Sequence, residues 1–205
     1  MAGDGAEAGR GGEREQAWAY DICAGMNAQT AARVVAFLDA HHVASLATCG
    51  GRGPHAANVF YVREEFALLW VSDPGSRHSV DLGADPRIAA TVAPDCFDMD
   101  DVCGVQISGH AHVITSESQR VRARLLLELR YPCVKRLSQG ASCLHEHYSN
   151  MEFYRLEATR IVLIDNSRGF GHKETLELEK SHAHINRHKE NRQERCLRHD
   201  GANIG

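Results

Sequence analysis

The 205-residue sequence lacks the long apolar run that a membrane helix needs, because no stretch approaches the roughly 20 apolar residues that cross a bilayer. It also lacks an excess of positive charge, with a formal net charge of -4 and a pI of about 6.3. Neither nucleic-acid nor membrane partners are therefore expected. Residues 1–15 contain no apolar segment typical of a secretory signal, so we expect a cytoplasmic protein.

The seven cysteines are an odd number and form no C-x-x-C pair. In a reducing compartment, most of them would serve as small buried hydrophobic residues. Two runs, from Cys143 to His147 and from His110 to His112, place metal-ligating side chains two residues apart. Neither run has a zinc spacing, and thirteen histidines make such pairs common by chance. We therefore predict no metal site.

The two ends of the chain differ in composition from its middle. Residues 1–22 are small, polar and charged, with Trp18 and Tyr20 as the large apolar groups, and are predicted to be a disordered tail. Residues 180–205 are charged and contain four histidines, which predicts a second disordered tail. The alternative is a tail that folds over a cofactor. Residues 23–179 remain as one domain, long enough to bury a core.

Periodicity within that domain predicts mainly strands. An apolar face with helical spacing predicts a helix from Asn27 to His41, and a second helix after Ser116 carries Val121, Leu125 and Leu129 on one side. The predicted strands are Val43–Thr48, His55–Val62, Phe66–Ser72, Arg87–Ala93, Val102–Ile114 and Tyr154–Ile164, the last bent near Thr159, with Lys173–Leu178 as a further candidate. The pattern predicts a mainly β (α+β) fold, a six-stranded antiparallel Greek-key barrel with flanking helices.

One helix start has the chemistry of an anion site. Ser76 is predicted to cap a short helix, residues 77–83, soon after a strand that ends at Ser72. The unpaired N–H groups at a helix start attract anions, and the Arg77 guanidinium matches phosphate oxygens. The hydroxyl groups of Ser72 and Ser76 can also donate. A capped helix with a solvated arginine is the commoner arrangement, so the residues alone leave both interpretations open.

A second motif follows the long strand that ends at Ile164. From Asp165 to Lys173, two glycines flank Phe170, and a cation lies just beyond them. Glycine allows a ligand or a second backbone to come close. A tight turn with an aromatic plug explains the same residues, and the two interpretations are compatible.

Several of these segments together resemble the FMN-binding split barrels of the pyridoxamine 5'-phosphate oxidase-like family. The resemblance covers residues 30 to 178 approximately. It is carried by the strands Ala44–Thr48 and Ala57–Tyr61, the Gly53–Pro54 hairpin, the strand end Trp70–Ser72, the helix start Ser76–His78, the strand entry Asp85–Arg87 and the strand Val105–Ala111. It is closest to a branch that ends its barrel in an Asp-Asn-x-x-Gly-Phe-Gly-x-Lys motif, like residues 165–173.

The resemblance implies roles for particular residues. It implies that Ser72, Arg77 and His78, at the helix start capped by Ser76, hold the flavin phosphate. His78 stands where the family usually has lysine, and a neutral imidazole would hold phosphate less well. The strand with Asn58, Val59 and Phe60 would meet the isoalloxazine, with Asn58 at its polar edge and Phe60 on its face. By strand alternation, either Phe60 or Tyr61 would instead lie in the core.

The later strands would complete the flavin site. Gln106 would make a polar contact, and Phe170 and Lys173 would lie beside the cofactor or at a subunit boundary. The resemblance also implies a homodimer with the cofactor at its interface, and hydride or electron transfer to an unknown small substrate or from an electron donor. No residue stands out as a general acid or base.

Two alternatives to a flavin oxidoreductase remain open. A heme-degrading branch of split barrels also has a Gly-Phe-Gly turn and takes an axial histidine from a C-terminal segment, for which this chain offers His172, His182, His184, His188 and His199. The other alternative is an interaction module with weak or no cofactor binding, which the replacement of lysine by His78 keeps open.

Overall fold

The computed structural model describes residues 27–139 and 148–178. In chain order the elements are α1 (residues 27–40), β1 (Val43–Gly50), β2 (Gly53–Phe60), β3 (Val62–Glu64), β4 (Ala67–Ser72), α2 (Arg77–Ala84), β5 (Arg87–Val92), β6 (Cys103–Val113), α3 (Glu117–Arg130), α4 (Pro132–Gln139), β7 (Glu152–Asp165) and β8 (Lys173–Glu177). Short 3₁₀ turns lie at Met99–Asp101 and Asn166–Arg168. No helix in these two ranges is long and apolar enough to cross a membrane.

The strands form one curled antiparallel sheet, a half-barrel, in the order β2-β1-β5-β6-β7-β4-β3, with β8 also paired to β7. The mainly β fold is thus confirmed, with eight strands rather than six in the part of the chain that the structure describes. The predicted strand His55–Val62 is interrupted at Tyr61, which separates β2 from β3. Tyr61 is buried on the same side as Val59, its hydroxyl donates to the Leu38 carbonyl at 2.8 Å, and its amide donates to the His42 carbonyl at 3.3 Å.

β7 has three strand partners. It pairs with β6 over nearly its whole length, and its other edge pairs first with β4 and then with β8. The β6–β7 register shifts between Ser108 and Gly109, where Thr159 is the extra residue and donates to the Ser108 carbonyl at 3.1 Å. The bend predicted near Thr159 is therefore a β-bulge. Gly109 is required there, because a Cβ would lie 2.1 Å from the Glu157 carbonyl oxygen.

Helix α1 covers the inner face of the sheet. Its Val34 and Leu38 are fully buried against inward side chains such as Leu46, Trp70 and Ile107. The carbonyl groups at the end of α1 accept hydrogen bonds from the Arg130 guanidinium at Asp39, 2.8 Å, and at His41, 2.6 Å. A cation at a helix C-terminus also complements the helix dipole, so Arg130 ties α3 to α1.

Helices α3 and α4 cover only part of the outer face, over β3, β4 and the first half of β7. The buried face of α3 is formed by Ala123 and Leu127, whereas the predicted apolar side, Val121, Leu125 and Leu129, is exposed. The helix itself was predicted correctly. Apolar residues with helical spacing occur on two of its sides, however, and the sequence does not show which side is buried. Ser116 precedes α3, but its side chain makes no capping hydrogen bond.

Candidate functional site

The start of α2 brings together Ser72, Ser76 and His78. The Ser72 Oγ lies 2.7 Å from the His78 Nε2, and the Ser76 Oγ lies 3.2 Å from the same nitrogen. Ser76 caps the helix as predicted, accepting from the Ser79 amide at 3.4 Å. Burial, reinforced by the nearby His55, lowers the pKa of His78, while Asp81 opposes the shift. His78 is therefore mainly neutral at pH 7 in this protein.

The Arg77 side chain turns toward the β1–β2 hairpin and not toward solvent. Its Nη2 donates to the carbonyl groups of Arg52 and Gly53 at 3.0 Å each, and to that of Pro54 at 3.2 Å. Its Nε is buried without a hydrogen-bond partner among the described residues, 3.8 Å from an Asp81 carboxylate oxygen. Arg77 thus braces the hairpin, with one buried donor still unpaired.

Asp81 also belongs to this cluster, although it was not among the residues predicted from the sequence. Its carboxylate is buried and accepts from the Thr48 hydroxyl at 3.1 Å. Gly50 makes room for it, because a Cβ at that position would lie 2.0 Å from the carboxylate. The i, i+4 spacing of Arg77 and Asp81 was the available signal. The acid partly neutralises Arg77, so the cluster carries less positive charge than its arginine suggests.

The outer face of the sheet, where α3 and α4 do not cover it, is called here the open face. A row of partners in register crosses it, namely Asn58, Ser45, Thr91, Gln106, Val162 and Thr175. Asn58 and Gln106 are therefore on one face, three strand spacings or about 14 Å apart. The neighbouring row has small side chains at Ala56, Ala47, Ala89 and Ser108, so another molecule can approach the sheet closely.

The remaining residues predicted on β2 are divided between its two faces. Val59 is buried in the core, so only its backbone can meet a ligand. Phe60 is 57% exposed on the open face, with its ring 5.3 Å from that of Tyr131, whereas Tyr61 is buried. Of the two aromatic residues, strand alternation thus assigns Tyr61 to the core.

The loop between β7 and β8 is shaped by Asn166. Its side chain donates to the Met99 carbonyl at 2.7 Å and accepts from the Gly171 amide at 3.0 Å. Gly169 and Gly171 have φ angles of 129° and 73°, which side chains rarely tolerate. The result is a fixed turn with Phe170 at its tip, 80% exposed, so Phe170 is no plug. Lys173 follows on the exposed side of β8.

Beside this loop, Glu174 gathers partners from two parts of the chain. It accepts from the Thr30 hydroxyl at 2.6 Å and from the guanidinium groups of Arg33 and Arg168. The hydrogen bond from Thr30, with those from His172 and Arg33, lowers the pKa of Glu174 to about 2. Because Thr30 and Arg33 belong to α1, this cluster ties the first helix to the last strand.

One chain does not bring all the predicted site residues into contact. Ser72, Ser76, Arg77 and His78 form a cluster, while Asn58, Phe60, Gln106 and Lys173 lie on the open face and Phe170 projects from a loop. Among the residues described, no group of three histidine, cysteine or acidic side chains is arranged to hold a metal. Cys143–His147 and the histidines of residues 180–205 lie outside the described residues, as do both predicted tails.

The start of α2 lies within a matched family region. A model of the pyridoxamine 5'-phosphate oxidase family matches residues 30–131, from α1 to the end of α3. The chain belongs to the pyridoxamine 5'-phosphate oxidase-like split-barrel family. A UPF0306 protein of Yersinia pestis is 27% identical over 139 residues, which are 67% of this chain and 86% of that protein. The branch motif at residues 165–173 lies beyond the matched family region.

Solved structures share the fold of this split barrel. A conserved hypothetical protein from Mycobacterium tuberculosis has a TM-score of 0.56 at 20% identity, over 73% of this chain and 92% of that one. A heme binding protein from Mycobacterium smegmatis has a TM-score of 0.54 at 20% identity, over 67% of this chain and 53% of that one. At such identities the likeness establishes the fold alone.

The Glu174 cluster predicts a specific pH dependence of stability. Because the folded-state pKa is lowered from 4.5 to about 2, this carboxylate stabilises the fold above pH 4.5 and loses that contribution as the pH falls through 2. We expect Glu174→Gln to lower the free energy of unfolding by roughly 1–2 kcal/mol at pH 7, with a difference that shrinks below pH 4.5. Urea unfolding at several pH values measures it.

Glu177→Gln is the matched control, since Glu177 lies on the same strand and pairs with Arg160 on the surface. We expect it to change the free energy of unfolding by less than about 0.5 kcal/mol. A Glu174→Gln variant as stable as the parent at pH 7 would show that the cluster does not hold α1 to β8.

Proposed function

We propose that the protein binds FMN with its phosphate at the start of α2 and acts as a flavin-dependent oxidoreductase. The observation that carries the proposal is the convergence of Ser72, Ser76, Arg77 and His78 at one helix N-terminus. Hydroxyl, imidazole and amide donors with a partial positive charge suit a phosphate. The family match supports the same cofactor.

Some contacts of the cluster favour the binding of a phosphate, and others oppose it. The unpaired, buried Nε of Arg77 is a donor for which the described chain offers no acceptor. The Ser72 hydroxyl and His78 imidazole contact each other, so both can turn to a shared anion. Against this, Asp81 reduces the local positive charge, and three carbonyl groups already occupy Arg77 Nη2. Binding therefore depends on hydrogen bonds more than on net charge.

The open face supports a homodimer in this proposal. Asn58 and Gln106 share a row of polar and small side chains that one chain leaves exposed. A second copy packed there would cover the face and enclose a flavin ring beside Asn58, Phe60 and Gln106, with Lys173 and Phe170 at the boundary. Bound flavin would supply hydride chemistry, while these side chains would bind and orient the ring.

The phosphate role of Arg77 is open to direct test. We expect Arg77→Ala to weaken FMN binding by roughly 10- to 100-fold, because a charge-assisted hydrogen bond contributes about 1.5–3 kcal/mol. Riboflavin, which lacks the phosphate, should bind parent and variant alike. Quenching of flavin fluorescence on titration gives both affinities.

Arg122→Ala is the matched control for the loss of an arginine, since Arg122 lies on α3 and is largely exposed. It should leave FMN affinity unchanged. Equal weakening of FMN and riboflavin by Arg77→Ala would mean that the variant damages the hairpin and that Arg77 does not hold phosphate.

His78 makes the proposed binding pH-dependent. Because its pKa is lowered by burial, it is neutral at pH 7 and gains a proton as the pH falls, more readily with a phosphate beside it. We expect FMN affinity to rise from pH 8 to about pH 6.5, with the gain depending on the charged groups that act on His78, namely His55 and Asp81.

The FMN phosphate itself titrates near pH 6, so the measurement stays above that value and is repeated with His78→Lys. A lysine keeps its charge throughout this range and should flatten the pH profile while raising affinity at pH 8. Parallel profiles for parent and His78→Lys would assign the pH dependence to another group.

Heme is the second candidate, favoured by the shared fold of the Mycobacterium smegmatis heme binding protein. In this chain, His172 is part-exposed beside the Phe170 turn, with its Nε2 3.1 Å from the Glu174 carboxylate. The absorption spectrum of purified protein, supplied with each cofactor in turn, decides between them. We expect flavin bands, and a Soret band from bound heme without flavin binding would overturn the FMN proposal.

A further inference from the structure

A groove of about 340 Å³ lies between the start of α1 and the last strand. Its apolar lining comes from Ala31 on α1, Phe66 in the β3–β4 turn, and Leu176 and Leu178 at the end of β8. Ala31, Phe66 and Leu178 are only partly buried there. The groove therefore leaves apolar surface uncovered next to the main core, at a cost in stability.

The groove lies at a gap in the sheet. β4 pairs with β7 up to Leu156, and β8 pairs with the same edge of β7 from Arg160 onward. The residues between Leu156 and Arg160 have neither β4 nor β8 as a partner on this edge. Within the described residues, β8 pairs with β7 alone, and its other edge is free. A free strand edge beside an apolar groove suits an extended peptide, which can pair with the backbone and place alternate side chains in the groove.

The chain enters the described structure at this same place. Asn27 lines the groove, so the residues just before it begin at its mouth. Those residues include Trp18, Tyr20 and Ile22, which alternate and would share one side of an extended segment. Trp18 is nine residues from Asn27, a reach of at most about 30 Å. Residues 179–205 also start beside the groove but contain no aromatic residue.

We infer that the groove binds the segment Trp18–Ile22 of the same chain, extended along the free edge of β8. The alternating apolar side chains cover Phe66 and Leu178, and the segment protects an edge strand that would otherwise be exposed. The inference does not depend on the proposed flavin function, since the groove contains none of the residues assigned to it.

The two tryptophans of the chain make the docking measurable. Trp70 is fully buried, so Trp70→Phe leaves Trp18 as the only indole in an otherwise complete protein. We expect Trp18 in this variant to emit at shorter wavelength than free tryptophan, and acrylamide to quench it several-fold less. Phe66→Ser and Leu178→Asp, each added to Trp70→Phe, should shift the emission to that of free tryptophan.

The matched control is Leu129→Ser, which changes a leucine that is 81% exposed on α3, away from the groove. It should leave Trp18 emission and quenching unchanged. If Trp70→Phe disturbs folding, the difference spectrum between the parent and Trp18→Phe gives the same information in the presence of Trp70.

Three results would overturn the inference. Trp18 quenched like free tryptophan in the Trp70→Phe variant would show that the segment is not docked. Protection that survives both Phe66→Ser and Leu178→Asp would place the docking elsewhere. Protection lost on dilution, together with a fall in molecular mass, would show that the segment occupies the groove of a second copy.

Discussion

The pairing of β7 with three other strands is the constraint on which the rest of this structure depends. Fourteen residues of one strand hold β6 on one side and both β4 and β8 on the other. The bulge at Thr159 turns the strand between its two halves, so that the first half is covered by α3 and α4 and the second half opens onto the exposed sheet. β7 is therefore buried on both faces at its start and on one face at its end. This difference explains why its buried residues do not alternate regularly along the whole strand.

This pairing also fixes where the chemical groups lie. Ser72, opposite Glu152, ends β4 and leads into α2, whereas Lys173, opposite Ile164, begins β8 after the Phe170 turn. The polar cluster and the aromatic turn are thus held at opposite ends of one strand and cannot meet around a single small ligand within one chain. A ligand that contacted both would have to be shared with a second molecule, and the row of small side chains on the open face leaves room for one to approach.

Apolar residues that recur every two or every 3.6 positions predicted most of the strands and helices, because this spacing shows which side of an element is apolar. The prediction failed where local pattern and tertiary contact differ. The break between β2 and β3 falls at Tyr61, whose hydroxyl donates to the carbonyl of Leu38, 23 residues away, and Ala123 and Leu127 are buried in the same cluster as Leu69 of β4. In the candidate site, the Ser76 cap was predictable from local sequence. The carbonyl partners of Arg77 and the Thr30–Glu174 contact were not, since they join residues 23 to 144 positions apart.

The charge balance at α2 limits what this cluster can hold. Arg77 contributes one positive charge, Asp81 offsets it from 3.8 Å away, and burial keeps His78 neutral. With lysine at position 78 the cluster would carry a net positive charge, but with histidine it is nearly balanced before any ligand arrives. A dianionic phosphate would therefore leave excess negative charge in a half-buried pocket unless a proton came with it, and His78, 2.7 Å from the Ser72 hydroxyl, is the group placed to take that proton. The charge of this cluster can therefore change with the protonation of His78, whereas a lysine at position 78 would keep it positive.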